Sequence, residues 1–346
     1  MHLSDLDVTP FSDNSIGWII ESSDEVLLKR KNWSDYQPTG IGTELYPGDL
    51  LQPAATAKVL VQCANGSTIW RVPAGMISGA ANGCPPAVKA IPGRQSKIIP
   101  PRGGTNSLIP YIICPRRTLL LNAFPILRWN AVPGATHYRV SVIDESEDDV
   151  LWETQVNASE VVYPGKPLLT MGVDYSFIVE ADTGTSSLQE EMPDLGFRRL
   201  DKAQAKSVLS VLEQPAHREL TQEAQALAKA YLYIGYELRT EAIETLEAWV
   251  KQDSQTAAVY RTLGELYQEV GLNWLAETHY LRAFKLASFD IEGQAVIAAR
   301  LGEVYQALGN SEAARRWFIQ ARDGYVVLGD SQWVSELEKR QVQLNL

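Results

Sequence analysis

A five-residue phrase occurs twice near the C-terminus, with the same downstream spacing each time. Leu263-Gly264-Glu265-Leu266-Tyr267 is followed by Gly271, Ala276, Tyr280 and Ala283; Leu301-Gly302-Glu303-Val304-Tyr305 is followed by Gly309, Ala314, Phe318 and Ala321. Small and large apolar residues three and four apart give each segment one helical face to bury. The spacing predicts pairs of helices in which Gly264, Gly302, Ala276 and Ala314 allow close approach. Tyr267, Tyr280, Tyr305 and Phe318 fill the spaces between them. A unit of this size cannot enclose a core alone and must stack on copies of itself. A weaker copy precedes the two, with Leu227, Tyr231 and Gly235 in its first helix and Ala242, Leu246 and Trp249 in its second. Ala242 and Ala276 are 34 residues apart, whereas Ala276 and Ala314 are 38 apart. The four additional residues fall near Ser288–Gly293, where one extra helical turn keeps the stacking face in register.

The phrase and its spacing resemble the tetratricopeptide repeat (TPR), with copies at about 221–252, 257–288 and 295–326 within a helical array over 201–329. Asp201, Thr221 and Asp330 are expected N-caps. Residues 330–346, holding Trp333, Val334 and Leu337, are expected to form a capping helix over the open end of the array. The resemblance implies a curved array whose first helices line a concave, ligand-binding face. Carried over position by position, that face would show Gln222, Gln225, Lys229 and Tyr233, then Arg261, Glu265, Gln268 and Glu269, then Glu303 and Gln306. It departs from the members that clamp a C-terminal carboxylate, since Glu265 stands where an amide is needed. The implied partner is a protein, bound as an extended peptide or a helix.

The N-terminal half alternates as β structure does. Ile16–Ile20, Glu25–Lys31, Lys58–Cys63 and Ser67–Val72 are expected strands, the last two joined at Asn65-Gly66, a strong hairpin turn. Gly42, Leu45, Gly48, Asp49, Val59, Val61, Asn65, Gly66 and Ser67 give residues 14–85 a resemblance to the FecR-type β domain. The membrane and anti-sigma parts of that family are absent, so its signalling role does not carry over. Prolines and glycines at 86–107 mark a linker. Residues 108–183 resemble a fibronectin type III, immunoglobulin-like sandwich, carried by Trp129, Gly134, Ala135, Tyr138, Val140, Tyr175 and Phe177. Five or six strands can be counted there, so one edge is expected either to be missing or to be supplied by residues 108–121. With a tail at 1–13 and a second linker at 184–200, the expected architecture is multidomain α+β: two all-β domains, then an all-α repeat array.

The net charge of −11 is unevenly spread. Residues 50–143 contain no carboxylate and ten bases, among them Lys58, Arg71, Arg116, Arg117, Arg128 and Arg139. Those bases must meet water, the acidic remainder of the chain or an anionic partner. Arg94, Lys97, Arg102, Arg116 and Arg117 are the positions that could face an acidic protein surface or an anionic polymer. The bases are too sparse, and too far from any nucleic-acid motif, to indicate nucleic-acid binding. Cys63, Cys84 and Cys114 form no zinc spacing. We read them as buried apolar side chains, with a Cys63–Cys84 bridge the alternative in an oxidising compartment. Four scattered histidines and the lack of nucleophile, phosphate-loop or dinucleotide motifs give no sign of an enzyme, metal or cofactor. No apolar run is long enough to cross a membrane. The N-terminus does not read as a signal peptide, so a cytoplasmic location is expected, or the periplasm or envelope if a leader precedes Met1. The sequence thus points to a non-enzymatic adaptor holding a partner in the array, with β domains for docking. The alternatives are an envelope sensor contacting an anionic glycan or wall polymer, and an accessory to a caspase-like or other effector.

Overall fold

The computed structural model describes residues 14–84, 104–190, 196–214 and 220–344. The tail 1–13 and most of the linker 86–107, with Arg94, Lys97 and Arg102, lie outside the described residues. β sheets come first and eight helices follow among the described residues, so the chain is mixed α+β with a helical C-terminal part.

The first β domain runs through β1 (Gly17–Ser22), β2 (Val26–Lys29), β3 (Gln37–Thr39), β4 (Glu44–Leu45), β5 (Leu50–Pro53), β6 (Val59–Cys63), β7 (Ile69–Val72), β8 (Ser78–Gly79) and a single turn, α1 (Ala80–Gly83). Its strands form two four-stranded sheets, ordered β4-β1-β6-β7 and β3-β2-β5-β8. The expected hairpin joins β6 to β7: Gln62 pairs with Ile69, and Asn65 Oδ1 accepts the backbone N–H of Ser67 and Thr68 at the turn. Ile19, Leu28, Leu45, Leu51, Val59 and Val61 are all buried in one core. Cys63 and Cys84 are joined by a disulfide across 21 residues, correcting the expectation of buried thiols; Cys114 is the buried free cysteine.

The second β domain contains β9 (Ile112–Cys114), β10 (Thr118–Leu120), β11 (Ile126–Trp129), β12 (Tyr138–Asp144), β13 (Asp149–Val156), β14 (Glu160–Val162), β15 (Asp174–Ala181) and β16 (Phe197–Arg199). A three-stranded sheet, β14-β11-β9, and a five-stranded sheet, β10-β16-β15-β12-β13, share a core around Trp129, Tyr138, Tyr175 and Phe177. The missing edges come from residues 108–121, as β9 and β10. β16 lies in the segment read as a linker, because Phe197 has a buried place in the sheet beside Tyr175.

The helices are α2 (Lys202–Leu212), α3 (Gln222–Gly235), α4 (Arg239–Val250), α5 (Ala257–Glu269), α6 (Asn273–Leu286), α7 (Ile291–Ala307), α8 (Ser311–Leu328) and α9 (Ser331–Gln343). Asp201, Thr221 and Asp330 cap α2, α3 and α9, each side chain accepting a first-turn N–H. Gly264 is where the α5 backbone meets α6: a Cβ there would lie 2.6 Å from the Tyr280 ring. The four-residue insertion has a definite destination. α7 and α8 have 17 and 18 residues where α5 and α6 have 13 and 14. The added turn of α7 precedes its phrase and lies against the added turn of α8, where a Cβ on Gly324 would come within 2.9 Å of Ala295 Cβ.

Both β domains pack on the array. Trp18 of β1 stacks on Tyr231 of α3 at 4.8 Å, Gly42 lies against Ala258 of α5, and Arg30 reaches Glu292 of α7. The first β domain therefore covers the first helix of all three hairpins, and its core is continuous with that of α7, α8 and α9. The sandwich sits on the hairpin turns. Arg116 donates to the Val270 carbonyl, Leu119 N–H to that of Glu237, and Arg128 pairs with Glu247 of α4 at 2.7 Å.

Candidate functional site: a charged cleft over the helical groove

Docking of the first β domain leaves a cleft of about 610 Å³ against α5, α7 and α9. Arg30, Glu44, Tyr46 and Asp49 reach it from the β domain; Arg261 and Glu265 from α5; Glu292, Arg300 and Glu303 from α7; Tyr325, Asp330 and Trp333 from α8 and its successor. The turn at Pro47-Gly48-Asp49 positions the first group. Asp49 accepts the Tyr46 N–H at 2.9 Å, and the same oxygen accepts from Arg30 at 2.7 Å. Arg30 also pairs with Glu292, donates to the Glu44 carbonyl, and lies over the Tyr46 ring at 4.9 Å. The inserted turn of α7 is what brings Glu292 within its reach.

The carboxyls in this cleft fall into two kinds. Glu303 accepts from both Arg300 and Arg340; burial opposes its ionisation, but the two guanidinium groups prevail and hold it below its usual range. Glu265 is 4% exposed and makes no hydrogen bond among the described residues; its ion pair with Arg261 is 3.5 Å long. Burial pushes it up to about 7, against the pull of Arg261 and Arg300. Burial likewise pushes Glu292 up to about 7 against the pull of Arg30. Glu44 accepts from the Tyr46 hydroxyl at 2.8 Å through one oxygen, while the other is buried without a partner. Such groups are costly unless something completes them. No His, Cys, Asp and Glu cluster suited to a metal ion occurs among the described residues.

Three of the residues expected on the concave face, Arg261, Glu265 and Glu303, meet in this cleft. Gln268 lies behind them, accepting from Tyr280 and donating to Glu303. The others are not brought to it. Gln222 and Gln306 are exposed, and Lys229 is half-buried on α3. Gln225 bonds its neighbour Leu220, Tyr233 packs beside the sandwich's Leu119 and Leu121, and Glu269 pairs with Arg239. The anion-facing expectation is corrected at Arg116, which is 1% exposed and paired with Glu190, leaving it no face for an outside anion. Arg117 donates to the Glu269 carbonyl, inside the same junction. Lys58, Arg128 and Arg139 also find internal carboxylates, Glu21, Glu247 and Glu180, so that with Arg116 at least four of the ten bases are paired within the chain. Sequence reasoning missed Arg30, Glu44 and Glu292. The 38-residue interval was the only signal of the last.

Glu241, where the sandwich meets α4, is a third carboxyl that burial pushes up to about 7. The folded chain holds protons on Glu241, Glu265 and Glu292 at pH values where the unfolded chain, titrating near 4.5, has lost them. Stability therefore falls as pH rises from about 4.5 to about 7, then levels. Glu303 gives up stability only below that window, and His279, lowered by burial, opposes the trend below its ordinary 6.5. Between pH 6 and 8 we expect a loss of about 2–4 kcal/mol, or a thermal midpoint lower by about 5 °C. Calorimetry at the two pH values checks this, and equal midpoints would refute it.

The fold and the cleft define a class: a helical-hairpin array carrying two β domains, one of which roofs a charged cleft over the array. No family model and no curated protein matches the chain. Among solved structures it is similar to BtubC (BKLC) from P. vanneervenii, at 16% identity over 41% of this chain and 72% of that one, with a TM-score of 0.29. A likeness at that level says nothing about what this chain does.

Proposed function

We propose that the protein is a non-enzymatic scaffold of the TPR type that binds a protein partner through the part of its concave face left open by its first β domain. FecR-like and fibronectin type III-like identities for the two β domains belong to the same proposal. The observation that supports it is the meeting of Arg261, Glu265 and Glu303 in a cleft of about 610 Å³, a size that holds a few side chains of a bound segment. Tyr233, Gln225, Gln268 and Glu269 are taken up by contacts within the chain, and the cleft admits a short peptide segment. Asn32 and Gln332 are exposed at the rim. Asn32→Arg with Gln332→Arg should obstruct the mouth without touching the core. Cross-linking in native cells through a photoreactive residue at position 332 should yield a protein adduct, lost when Asn32→Arg obstructs the mouth. No adduct from the unobstructed chain would overturn the reading.

A second reading, an envelope protein contacting an anionic polymer, draws on the Cys63–Cys84 disulfide, since such bonds persist in oxidising compartments. The loop it closes is worth about 3 kcal/mol in chain entropy. Protein unfolded under non-reducing conditions from native cells should show one titratable thiol, that of Cys114, per chain. Three would remove the support for this reading.

No described helix is long and apolar enough to cross a membrane.

A further inference from the structure

We propose that the cleft is a receptor for one cationic group, a guanidinium or ammonium, seated between Glu44 and Glu265. The inference rests on the reading of the cleft as a binding site and names the chemistry it selects.

The pairing within the cleft leaves a definite remainder. Arg30 is held by Asp49 and Glu292, and Glu303 by Arg300 and Arg340. What is left is Arg261 facing two carboxylates, Glu44 and Glu265, both near enough to bear on its charge; Arg300, bonded to Glu303, also bears on Glu265. As it lies, Arg261 donates a hydrogen bond to neither carboxylate. Arg261 spends a terminal N–H on the Gly42 carbonyl, and its Nε makes no hydrogen bond. Glu265 is more than nine-tenths buried, lines the cleft, and accepts no hydrogen bond among the described residues; Glu44 has a buried oxygen with no donor there. An entering cation with several N–H donors would complete both carboxylates and leave Arg261 its single partner. An anion would instead have to displace Arg261 from Glu265 in a cleft already richer in carboxylates than in bases. Tyr46 and Trp333 are also on the wall, each with one ring face already covered, by Arg30 and by Tyr325, and their remaining edges give apolar contact to the stem of an arginine or lysine side chain. Charge, donor count and lining thus agree on the basic side chain of a partner peptide, or a polyamine of the same chemistry.

Titration calorimetry on the full chain would test this with four probes: acetyl-Gly-Arg-Gly-amide, its Lys and Gln counterparts, and spermidine. Binding of the Arg or Lys peptide, at least tenfold weaker in Glu265→Gln and in Glu44→Gln, with no binding of the Gln peptide, is the expected result. Both substitutions keep the side-chain shape, and a cooperative thermal transition in each variant, measured alongside, shows that the loss is of binding and not of the fold, Glu265→Gln being expected to lower the midpoint because it strands the buried Arg261. Spermidine binding without either peptide would assign the cation to a polyamine source, with the same two carboxylates as its receptor. No binding of any cationic probe, or binding unchanged in both variants, would overturn the proposal. The scaffold reading would survive that failure if the rim adduct at position 332 were still formed; loss of the adduct with retention of cation binding would sink the scaffold reading alone.

Discussion

Replacing Arg116 by methionine should destabilise the folded chain by about 3–5 kcal/mol, the penalty for stranding one partner of a buried ion pair. Its guanidinium reaches both oxygens of Glu190 at 2.8 and 3.0 Å, the Ile112 carbonyl at 2.9 Å and the Val270 carbonyl at 2.7 Å. The last bond ties the sandwich to the turn between α5 and α6. Without Arg116, Glu190 retains the Gly104 N–H but lies 3% exposed with no counter-charge. Adding Glu190→Gln should return roughly half of the loss, since no uncompensated charge then stays buried. Urea unfolding of the two single variants and the double variant gives the coupling directly. A cost below about 1 kcal/mol for Arg116→Met would show that the pair does not clamp the domains.

Gly42→Ala should release the first β domain from the array, at a cost of about 3 kcal/mol from overpacking and backbone strain together. Two causes act at once. Gly42 has φ +91°, a conformation that a side chain resists, and an added Cβ would overlap Ala258 Cβ on α5. Both positions lie on backbone that is pinned. Gly42 N donates to the Ile19 carbonyl at 2.7 Å, and Ala258 is in the first turn of its helix. Hydrogen exchange should rise along β1 and α5, and the thermal midpoint should fall. Ala258→Gly in the Gly42→Ala background removes the overlapped atom and should recover part of the loss, even though glycine disfavours the helix by about 1 kcal/mol. Failure to recover would mean that contact with α5 is not what fixes the β domain.

The two substitutions address junctions that no local pattern announces. Lines of approach within one element or one hairpin were legible: Gly264 facing Tyr280, the caps Asp201, Thr221 and Asp330, and the Asn65-Gly66 hairpin all follow from contacts a few to some tens of residues apart. β16 was read as linker because three residues carry too short a pattern, and only the neighbour Tyr175 shows why Phe197 belongs in a sheet. Of the polar residues expected on a concave face, Arg261, Glu265 and Glu303 line the cleft, whereas Gln225, Gln268 and Glu269 bond within the helical part.

By itself the sequence determined the periodic elements, their class and the one-turn insertion, because hydrophobic spacing, capping and turn chemistry act over a few residues and leave their mark there. Only the tertiary structure decided that Lys58, Arg116, Arg128 and Arg139 would meet the internal carboxylates of Glu21, Glu190, Glu247 and Glu180, and that Arg30 would meet Glu292 across 262 positions. Charge acts through space without a preferred spacing along the chain, so a sequence shows how much of it must be balanced but not by which partner. Glu265 was on the page from the start as one letter of a repeated phrase. Its place in one cleft with Glu44 and Arg261 exists only once the first β domain has come down on the array.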